Sequence, residues 1–404
     1  MIYPSARAAQ FRYAIRNIVS AAEARERKGQ DVIYLNIGDP QAYGFRPPAN
    51  IVEAVAQALR DKFTGYAHSS GLPEARNAVA NYASKAGIRC SPEDVLLTAG
   101  ASEAADLVLT ALISEGDEVL LPAPGYPLYP AILNKLGGVP RYYKLAGAEG
   151  WHVAADDVAH LINERTRALV IINPNNPTGT IIPDATTRAL LSLAAQHKLL
   201  VIADEVYREL CFGPQPAAAS ALAADTEVPL ITLESLSKTH LVPGWRVGWM
   251  RFSNAHTMRE LIRGIHLLAS GRLCSPTPAQ YAVRPALEGE RVFLQEFLFE
   301  IRKRRETVVD LVHRTANLSC TVPQAAFYVM IKVNDPLGRT DERFVIDMLE
   351  QTGILVVPGS GFGLRPEERY FRLVYLPDEN ILEVVFDRMA EFLESIPAVR
   401  SELF

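Results

Sequence analysis

Short apolar runs alternate with helical stretches between about residues 50 and 285, and this alternation restricts the possible folds more than any other sequence feature. The runs include DVLLTAGAS, DEVLLPAPGY, ALVIINPNNPTG, LLVIADEVY and PLITLESLSK, with helical segments such as EAADLVLTALI between them. Strands that are apolar throughout indicate a parallel or mixed sheet with helices on both faces. The sequence therefore predicts an α/β domain built on such a sheet.

The C-terminal part has a different pattern, which predicts a smaller α+β domain. A charged helical stretch, RVFLQEFLFEIRKRRETVVDLVHR, is followed by the apolar runs AFYVMIKV and YFRLVYL and by a final helix. The chain has 404 residues, more than the ~250–300 residues at which a single core usually stops growing. We therefore expect a large domain over residues 50–285 and a small domain over residues 286–404, completed by an N-terminal segment over residues 1–49.

Composition and charge argue against several classes of function. A formal net charge of −5 predicts no basic surface for nucleic acid or anionic membranes. The sequence has no apolar run of about 20 residues, which a membrane span requires, and its N-terminus lacks the apolar segment of a signal peptide. The four cysteines lie far apart without a CxxC pair, so we expect reduced thiols, no metal site and a cytoplasmic protein.

Polar residues follow the apolar runs, at the positions where ligands bind in open α/β sheets. In TAGASEAAD, small residues lead into a helix whose first N–H groups could hold a phosphate; the alternative is a capped helix, with Ser102 as the cap. PAPGYPLYP presents Tyr126, on which an aromatic ring could stack, although tyrosines are common in turns. In VIINPNNPTG three asparagines and two prolines restrict the backbone, and Asn176 is the best candidate for an aimed amide.

Asp204 is the candidate carboxylate of the site. It directly follows aliphatic residues in LLVIADEVY, where a carboxylate is costly unless it has a partner. It is either a helix cap or the anion that pairs with a protonated ring nitrogen. Tyr207 falls one helical turn later and could face the same site.

The stretch SLSKTHLVPGWRVGW contains the candidate nucleophile, Lys238. Ser235 and Ser237 offer hydroxyl groups, and Arg246 offers a planar guanidinium that suits a phosphate. A lysine taken at random is a surface residue. At a strand end beside cationic groups, however, its amine would be partly desolvated and its pKa lowered, as Schiff-base chemistry requires. Phosphate donors, a stacking ring, a carboxylate, amide and phenol donors and a lysine together predict pyridoxal 5′-phosphate as the cofactor.

These motifs resemble, in order and spacing, the fold-type I aminotransferases of the aspartate aminotransferase superfamily. The resemblance extends from LNIGDP at residue 35 to YFRLVYL at residue 370, and within the superfamily the chain is most similar to bacterial alanine (glutamate–pyruvate) aminotransferases. It implies a fold-type I pyridoxal-phosphate-dependent transferase with a large and a small domain. It also implies ping-pong transfer of an amino group from an L-amino acid to a 2-oxo acid, with alanine and 2-oxoglutarate as the expected pair.

The resemblance further implies roles for individual residues in binding the cofactor. Lys238 would carry the cofactor covalently and move the substrate proton, Asp204 would pair with the pyridinium nitrogen, and Tyr126 would stack on the ring. Tyr207 and Asn176 would hydrogen-bond the ring oxygen, with Asn176 also facing the substrate. The residues that would hold the phosphate are Ala101, Ser102, Ser235, Ser237 and Arg246.

The resemblance also implies a homodimer with shared active sites and a site for the substrate carboxylate. Tyr66 would reach the phosphate of the neighbouring subunit. Arg372 would bind the α-carboxylate through two parallel hydrogen bonds, helped by the Gly38 backbone. The second carboxylate of glutamate would need a further cation, for which Arg272 in ASGRLCSP and Arg16 in YAIRNIV are candidates. For each of these two arginines the alternative is an ordinary surface position.

Three other functions fit parts of the pattern. A broader aminotransferase would act on aspartate, aromatic or branched-chain amino acids. The second function is that of a lyase on the same fold, although no motif in the sequence departs from the aminotransferase pattern. The third is a regulator with a retained aminotransferase-like domain. Such proteins carry an N-terminal DNA-binding domain, and because only about 35 residues precede LNIGDP we do not expect one.

Overall fold

A computed structural model of the chain describes residues 2–5, 7, 18–147 and 150–396. Its strands, in chain order, are β1 (Ile33–Tyr34), β2 (Val95–Thr98), β3 (Glu118–Ala123), β4 (Val139–Lys144), β5 (Thr166–Ile172), β6 (Leu200–Asp204), β7 (Leu230–Ser235), β8 (Gly248–Ser253), β9 (Leu318–Cys320), β10 (Tyr328–Val333), β11 (Ile354–Leu355), β12 (Val357–Pro358) and β13 (Tyr370–Val374).

The α-helices, also in chain order, are α1 (Val19–Glu26), α2 (Ala49–Arg60), α3 (Pro73–Lys85), α4 (Ala101–Leu112), α5 (Leu128–Leu136), α6 (Ala155–Ala159), α7 (Asp184–Gln196), α8 (Ala219–Leu222), α9 (Leu236–Thr239), α10 (Arg259–Gly271), α11 (Thr277–Gln280), α12 (Val283–Glu288), α13 (Val292–Arg314), α14 (Asp341–Thr352) and α15 (Glu379–Ser395). Short 3₁₀ helices occur at Pro40–Tyr43, Pro92–Asp94, Pro243–Trp245, Ala255–Thr257, Gly359–Phe362 and Pro366–Glu368. Among the helices described, none is long and apolar enough to cross a membrane.

Seven strands form the central sheet, in the order β2-β8-β7-β6-β5-β3-β4. The strands from β3 to β7 are parallel, and β8 runs antiparallel to both β7 and β2. Thr98 and Ser235, the last residues of β2 and β7, both pair with Gly248, the first residue of β8. The carboxyl ends of β2, β3, β5, β6 and β7 therefore lie along one edge, which confirms the predicted mostly parallel sheet.

Alternate residues of the central strands face two separate hydrophobic cores. In β5, Val170 and Ile172 belong to one core, whereas Leu169 and Ile171 belong to the other. Helices α4, α5 and α10 pack into the first core, and α7 and α8 pack into the second. Fully burying one such aliphatic side chain contributes roughly 1.5–3 kcal/mol, so both faces of the sheet stabilise the fold. Helices cover both faces, as the apolar runs predict.

The C-terminal part contains a second, four-stranded antiparallel sheet in the order β12-β13-β10-β9. Its core also takes side chains from α13, α14 and α15. The N-terminal segment joins this part, because β1 pairs in parallel with β11 and Leu35 belongs to the same core. That residues 1–49 complete a small domain stays a prediction. The boundaries proposed at residues 50 and 285 stay predictions.

Candidate active site

A cavity of about 210 Å³ lies at the carboxyl edge of the central sheet. It is lined by residues from the ends of five strands of that sheet, from the segment after β1, and from β10 and β13. Most of the site residues expected from the sequence are among them: Gly38, Ala101, Ser102, Tyr126, Asn176, Asp204, Tyr207, Ser235, Ser237, Lys238, Arg246 and Arg372.

Lys238 lies in α9, a single helical turn that begins directly after β7. Ser235 caps this turn, because its hydroxyl oxygen accepts a hydrogen bond from the Ser237 N–H at 3.2 Å. The Lys238 amine donates to the Gly38 carbonyl at 2.7 Å. A side chain at Gly38 would overlap the Tyr328 hydroxyl, so only glycine fits where this carbonyl meets the amine. The backbone of the N-terminal segment therefore orients the candidate nucleophile.

The environment of Lys238 lowers the pKa of its amine. Burial lowers the pKa of Lys238 to about 8; Asp39 acts to raise it, and Arg372 and Arg246 act to lower it. The Lys238 nitrogen also lies 5.9 Å from the centre of the Phe327 ring. An amine with this pKa is partly unprotonated near neutral pH, as a nucleophile or general base must be. The two arginines also make the cavity attractive to anions.

Asp204 is the last residue of β6 and is 8% exposed. Its Oδ2 accepts a hydrogen bond from the Tyr129 hydroxyl at 2.9 Å, and its Oδ1 accepts one from the Val206 N–H at 3.3 Å. Burial raises the pKa of Asp204 to about 6, although both hydrogen bonds act to lower it. Because the next α-helix begins only at Ala219, Asp204 is not a helix cap. A buried carboxylate facing a cavity is suited to a cationic ligand group.

The three asparagines of VIINPNNPTG have different contacts. Asn173 holds the loop, since its side-chain oxygen accepts from the Ile182 N–H at 2.9 Å and its amide donates to the Ile182 carbonyl at 3.1 Å. Asn175 accepts from the Thr178 hydroxyl at 2.9 Å. Only Asn176 among the three lines the cavity. The loop is therefore shaped by two asparagines and presents the third, the residue that the sequence indicates.

Arg372 lies in β13 and is 2% exposed. Its guanidinium carbon lies 4.5 Å from the centre of the Tyr328 ring and 4.8 Å from that of the Phe362 ring. One guanidinium nitrogen donates to Asn176 Oδ1 at 3.0 Å, and another donates to the Asn36 carbonyl. The two rings and two hydrogen bonds fix the orientation of the guanidinium. A fixed, buried guanidinium is suited to bidentate binding of a carboxylate.

Two tyrosines present aromatic and phenolic groups to the same cavity. The Tyr207 hydroxyl lies 2.7 Å from the Tyr328 hydroxyl, and burial raises the pKa of Tyr207 well above its usual value. Tyr207 is therefore protonated and able to donate a hydrogen bond. Tyr126 follows β3 and packs against a small core formed by Val357 and Phe362. Its ring is thus held between the large sheet and the C-terminal part.

The start of α4 and Arg246 form an end of the cavity suited to an anion. Ala101 and Ser102 are the first residues of α4, where backbone N–H groups lack partners within the helix. Arg246 donates to the Ala99 carbonyl at 3.0 Å. A side chain at Gly100, whose φ is +79°, would overlap the Arg246 guanidinium. Glycine therefore allows the guanidinium to lie against the helix N-terminus, where both favour a phosphate.

Three expected site residues are not among the lining residues. Tyr66 is 84% exposed on the surface. Arg272 forms an ion pair with Glu103 at 2.9 Å and donates to the Leu97 carbonyl at 2.8 Å. Arg16 lies outside the residues that the structure describes. The roles of these three residues stay predictions.

Sequence reasoning missed three residues that contact the expected ones. Tyr129 contacts Asp204, Tyr328 contacts both Tyr207 and Arg372, and the Asn36 carbonyl accepts from Arg372. Tyr129 had a detectable signal, because it lies three residues after Tyr126 on a helix that starts at the cavity. Tyr328 opens a strand that reads as ordinary core, and Asn36 contributes only backbone, so neither had a signal in the sequence.

The sequence profile of the family described as "Aminotransferase class I and II" matches residues 30–387. The chain is 35% identical to the glutamate-pyruvate aminotransferase AlaA of Haemophilus influenzae, over 94% of this chain and 95% of that protein. It is also 35% identical to the alanine aminotransferase of Mycobacterium tuberculosis, over 95% of this chain and 90% of that protein.

Solved structures show the same similarity. The alanine aminotransferase of Pyrococcus furiosus superposes with a TM-score of 0.94 at 36% identity, covering 97% of this chain and 100% of that chain. The aspartate aminotransferase of Thermus thermophilus, solved with maleate, superposes with a TM-score of 0.88 at 29% identity, covering 97% of this chain and 100% of that chain. The similarity therefore extends over both sheets.

Proposed function

Because the chain belongs to the class I and II aminotransferases, we propose that it transfers the amino group of L-alanine to 2-oxoglutarate by a ping-pong route, with pyridoxal 5′-phosphate bound in the cavity. The observation that carries this proposal is the meeting of a lysine, a buried carboxylate, a buried guanidinium and an anion-binding helix N-terminus around one cavity. Relatives named alanine or glutamate-pyruvate aminotransferase are 35% identical, and a relative named aspartate aminotransferase is 29% identical. This difference favours alanine.

The chemistry of the lining residues fits this cofactor. The phosphate would lie at the N-terminus of α4 against Arg246, Ser235 and Ser237, where N–H, hydroxyl and guanidinium donors converge. Asp204 would accept a hydrogen bond from the pyridinium N–H, and the pyridinium would supply the positive charge that a buried carboxylate needs. Lys238 lies in the same cavity with an amine of lowered pKa, suited to bonding with the aldehyde carbon.

When bound, the cofactor supplies an electron sink for the electrons released from the substrate Cα–H bond. The residues of the chain bind, orient and move protons around it. Arg372 would bind the α-carboxylate and so fix the Cα–H bond relative to Lys238. Lys238, with a pKa of about 8, would take the Cα proton and return it to the cofactor carbon. Tyr207 would donate a hydrogen bond to the ring oxygen.

The proposal includes a homodimer that works in the cytoplasm. Tyr66 is a large side chain with 84% of its surface exposed, which leaves it accessible to a second subunit. The cysteines at positions 90, 211, 274 and 320 are free thiols, as expected in a reducing compartment. Sedimentation of the holoenzyme should give twice the mass of the chain, and Tyr66→Phe should weaken binding of the cofactor phosphate.

A panel of amino acids against pyruvate and 2-oxoglutarate tests the proposed substrates, with the cofactor absorbance followed through each half-reaction. Alanine and glutamate should give the highest kcat/KM. If aspartate, aromatic or branched-chain amino acids react faster, the broader aminotransferase is the correct function. Borohydride reduction and peptide mapping should place the pyridoxyl group on Lys238, and the exposed Lys332 is the control that should stay unlabelled.

Arg16→Met and Arg272→Met test which arginine, if either, binds the second carboxylate of glutamate. A hydrogen bond between charged groups contributes roughly 1.5–3 kcal/mol, so loss of the arginine that binds this carboxylate should raise KM for glutamate about tenfold or more. Alanine kinetics should change little in that variant. Because Arg272 is already paired with Glu103, we expect Arg272→Met to affect both substrates equally and to lower the melting temperature. Equal losses in both variants would contradict a role for either arginine in substrate choice.

A further inference from the structure

Tyr129 is a fully buried tyrosine whose hydroxyl contacts a side chain of the cavity rather than the protein backbone. It lies in α5, is 2% exposed, and donates to Asp204 Oδ2 at 2.9 Å. The other carboxylate oxygen accepts the longer Val206 N–H bond of 3.3 Å. Among the residues described, no lysine, arginine or histidine forms an ion pair with Asp204. The tyrosine hydroxyl therefore donates the shorter of the two hydrogen bonds recorded to this carboxylate.

A second buried tyrosine shows what a structural hydroxyl does in this fold. Tyr143, in β4, is 1% exposed and donates to the Val170 carbonyl at 2.8 Å. Each of these hydrogen bonds gives a buried hydroxyl group a partner, and burying a hydroxyl group without one is costly in free energy. Only the bond of Tyr129 ends on a group that can change its charge. Tyr143 is therefore a matched control for the loss of a buried tyrosine hydroxyl.

We propose that Tyr129 is a positioning residue that keeps Asp204 ionised and oriented for the cationic ring nitrogen of the cofactor, an inference that rests on the proposed function. A phenol hydrogen bond to a carboxylate favours its charged form. It also occupies one lone pair of Oδ2, as the Val206 N–H does for Oδ1, so the plane of the carboxylate is fixed. Asp204 then offers its remaining lone pairs to a ring N–H in a defined direction.

The direction of the effect follows from the environment of Asp204. Its neighbours across the sheet are Ile172 and Leu233, which give the carboxylate no hydrogen-bonding side chain. The other titratable groups that line the cavity are Tyr126, Tyr207, Tyr328, Lys238, Arg246 and Arg372. These groups are shared by the wild type and the variants below. Burial raises the pKa of Asp204, and the hydrogen bond from Tyr129 lowers it. Without the Tyr129 hydroxyl, the pKa of Asp204 therefore rises from about 6 toward the neutral range.

The test measures binding of 4′-deoxypyridoxine 5′-phosphate to the apoprotein from pH 5 to 9. This ligand has the ring nitrogen and the phosphate but no aldehyde, so it cannot bond to Lys238 and its affinity reports on non-covalent binding; the phosphate contacts are the same in the wild type and in the variants. In the wild type, affinity should fall as the pH drops through about 6, where Asp204 takes up a proton. In Tyr129→Phe this midpoint should move upward by about one pH unit, so that Kd at pH 5.5 rises about eightfold and Kd at pH 8.5 changes little.

The controls separate this role from simple stabilisation. Tyr143→Phe should lower the melting temperature and leave the pH midpoint at its wild-type value. In an Asp204→Asn background, Tyr129→Phe should have no further effect on the pH profile. An unchanged midpoint in Tyr129→Phe, or one that Tyr143→Phe reproduces, overturns the inference. Failure of the ligand to bind the wild type at any pH instead overturns the proposed cofactor.

A second measurement needs no Tyr129 variant. The infrared carboxylate band of Asp204, isolated as the difference between wild type and Asp204→Asn, should appear with a midpoint near pH 6. A midpoint above pH 7 in the wild type would show that Tyr129 does not keep Asp204 ionised, and would overturn the inference even if Tyr129→Phe does not fold.

Discussion

Lys238 should react as a free amine near neutral pH in the protein without cofactor. Burial lowers its pKa from 10.5 to about 8. At pH 7.5 an amine of pKa 8 is about one quarter unprotonated, whereas the same amine in the unfolded chain is about one thousandth unprotonated. The folded protein therefore raises the reactive fraction at Lys238 roughly two-hundredfold at this pH.

Asp39→Asn tests the effect of neighbouring charge on the pKa of Lys238, because the Asp39 carboxylate opposes the effect of burial. The Asp39 carboxylate acts to raise the pKa of Lys238, so its removal should move the pKa below 8. The local turn should survive, because Asp39 caps the 3₁₀ helix by accepting from the Gln41 N–H at 3.1 Å and asparagine caps equally well. The variant therefore changes charge with little change in backbone.

Trace acetylation with acetic anhydride between pH 6 and 11, followed by peptide mass analysis, measures the reactive fraction of Lys238. The reference is Lys238 itself in the urea-unfolded protein, which cancels the intrinsic reactivity of the peptide. The midpoint should lie near pH 8 in the folded wild type and lower in Asp39→Asn. A folded midpoint equal to the unfolded one, or a rise in Asp39→Asn, would refute the electrostatic account of this lysine.

Three further substitutions have defined outcomes. Asp204→Asn should retain the cofactor phosphate but lose at least about a hundredfold in kcat, because the ring nitrogen no longer faces an anion; kcat within threefold of wild type would contradict this role. Arg372→Lys should raise KM about tenfold or more for alanine, glutamate and their 2-oxo acids alike, since lysine cannot form two parallel hydrogen bonds. A loss confined to dicarboxylic substrates would show that Arg372 binds their second carboxylate instead. Gly38→Ala should weaken cofactor binding in equilibrium dialysis. The added methyl group would overlap the Tyr328 hydroxyl and so displace the Gly38 carbonyl, which accepts the hydrogen bond from Lys238. Wild-type affinity would show that the backbone around residue 38 shifts without cost.

The sequence by itself determined the sheet and the residues at its edge. Apolar runs mark buried strands, and polar residues after them fall at carboxyl ends, which parallel strands bring to one edge. Asn176, Asp204 and Lys238 could be identified for this reason, since Asp204 ends its strand and the other two follow theirs by a few residues. Arg372 and Gly38 came from the resemblance of their motifs to a family, because no local pattern connects β13 or the N-terminal segment with that edge.

Only the tertiary structure decided which groups meet across long separations in sequence. Tyr129 lies 75 residues before Asp204, and Tyr207 lies 121 residues before Tyr328. Arg272 is a candidate substrate ligand in the sequence, and only the packing shows that it forms an ion pair with Glu103 at the first turn of α4. Strand and turn preferences depend on neighbouring residues and can be read locally. Hydrogen bonds between distant side chains depend on how helices and sheets pack, and that geometry is set by the whole core rather than by any one segment.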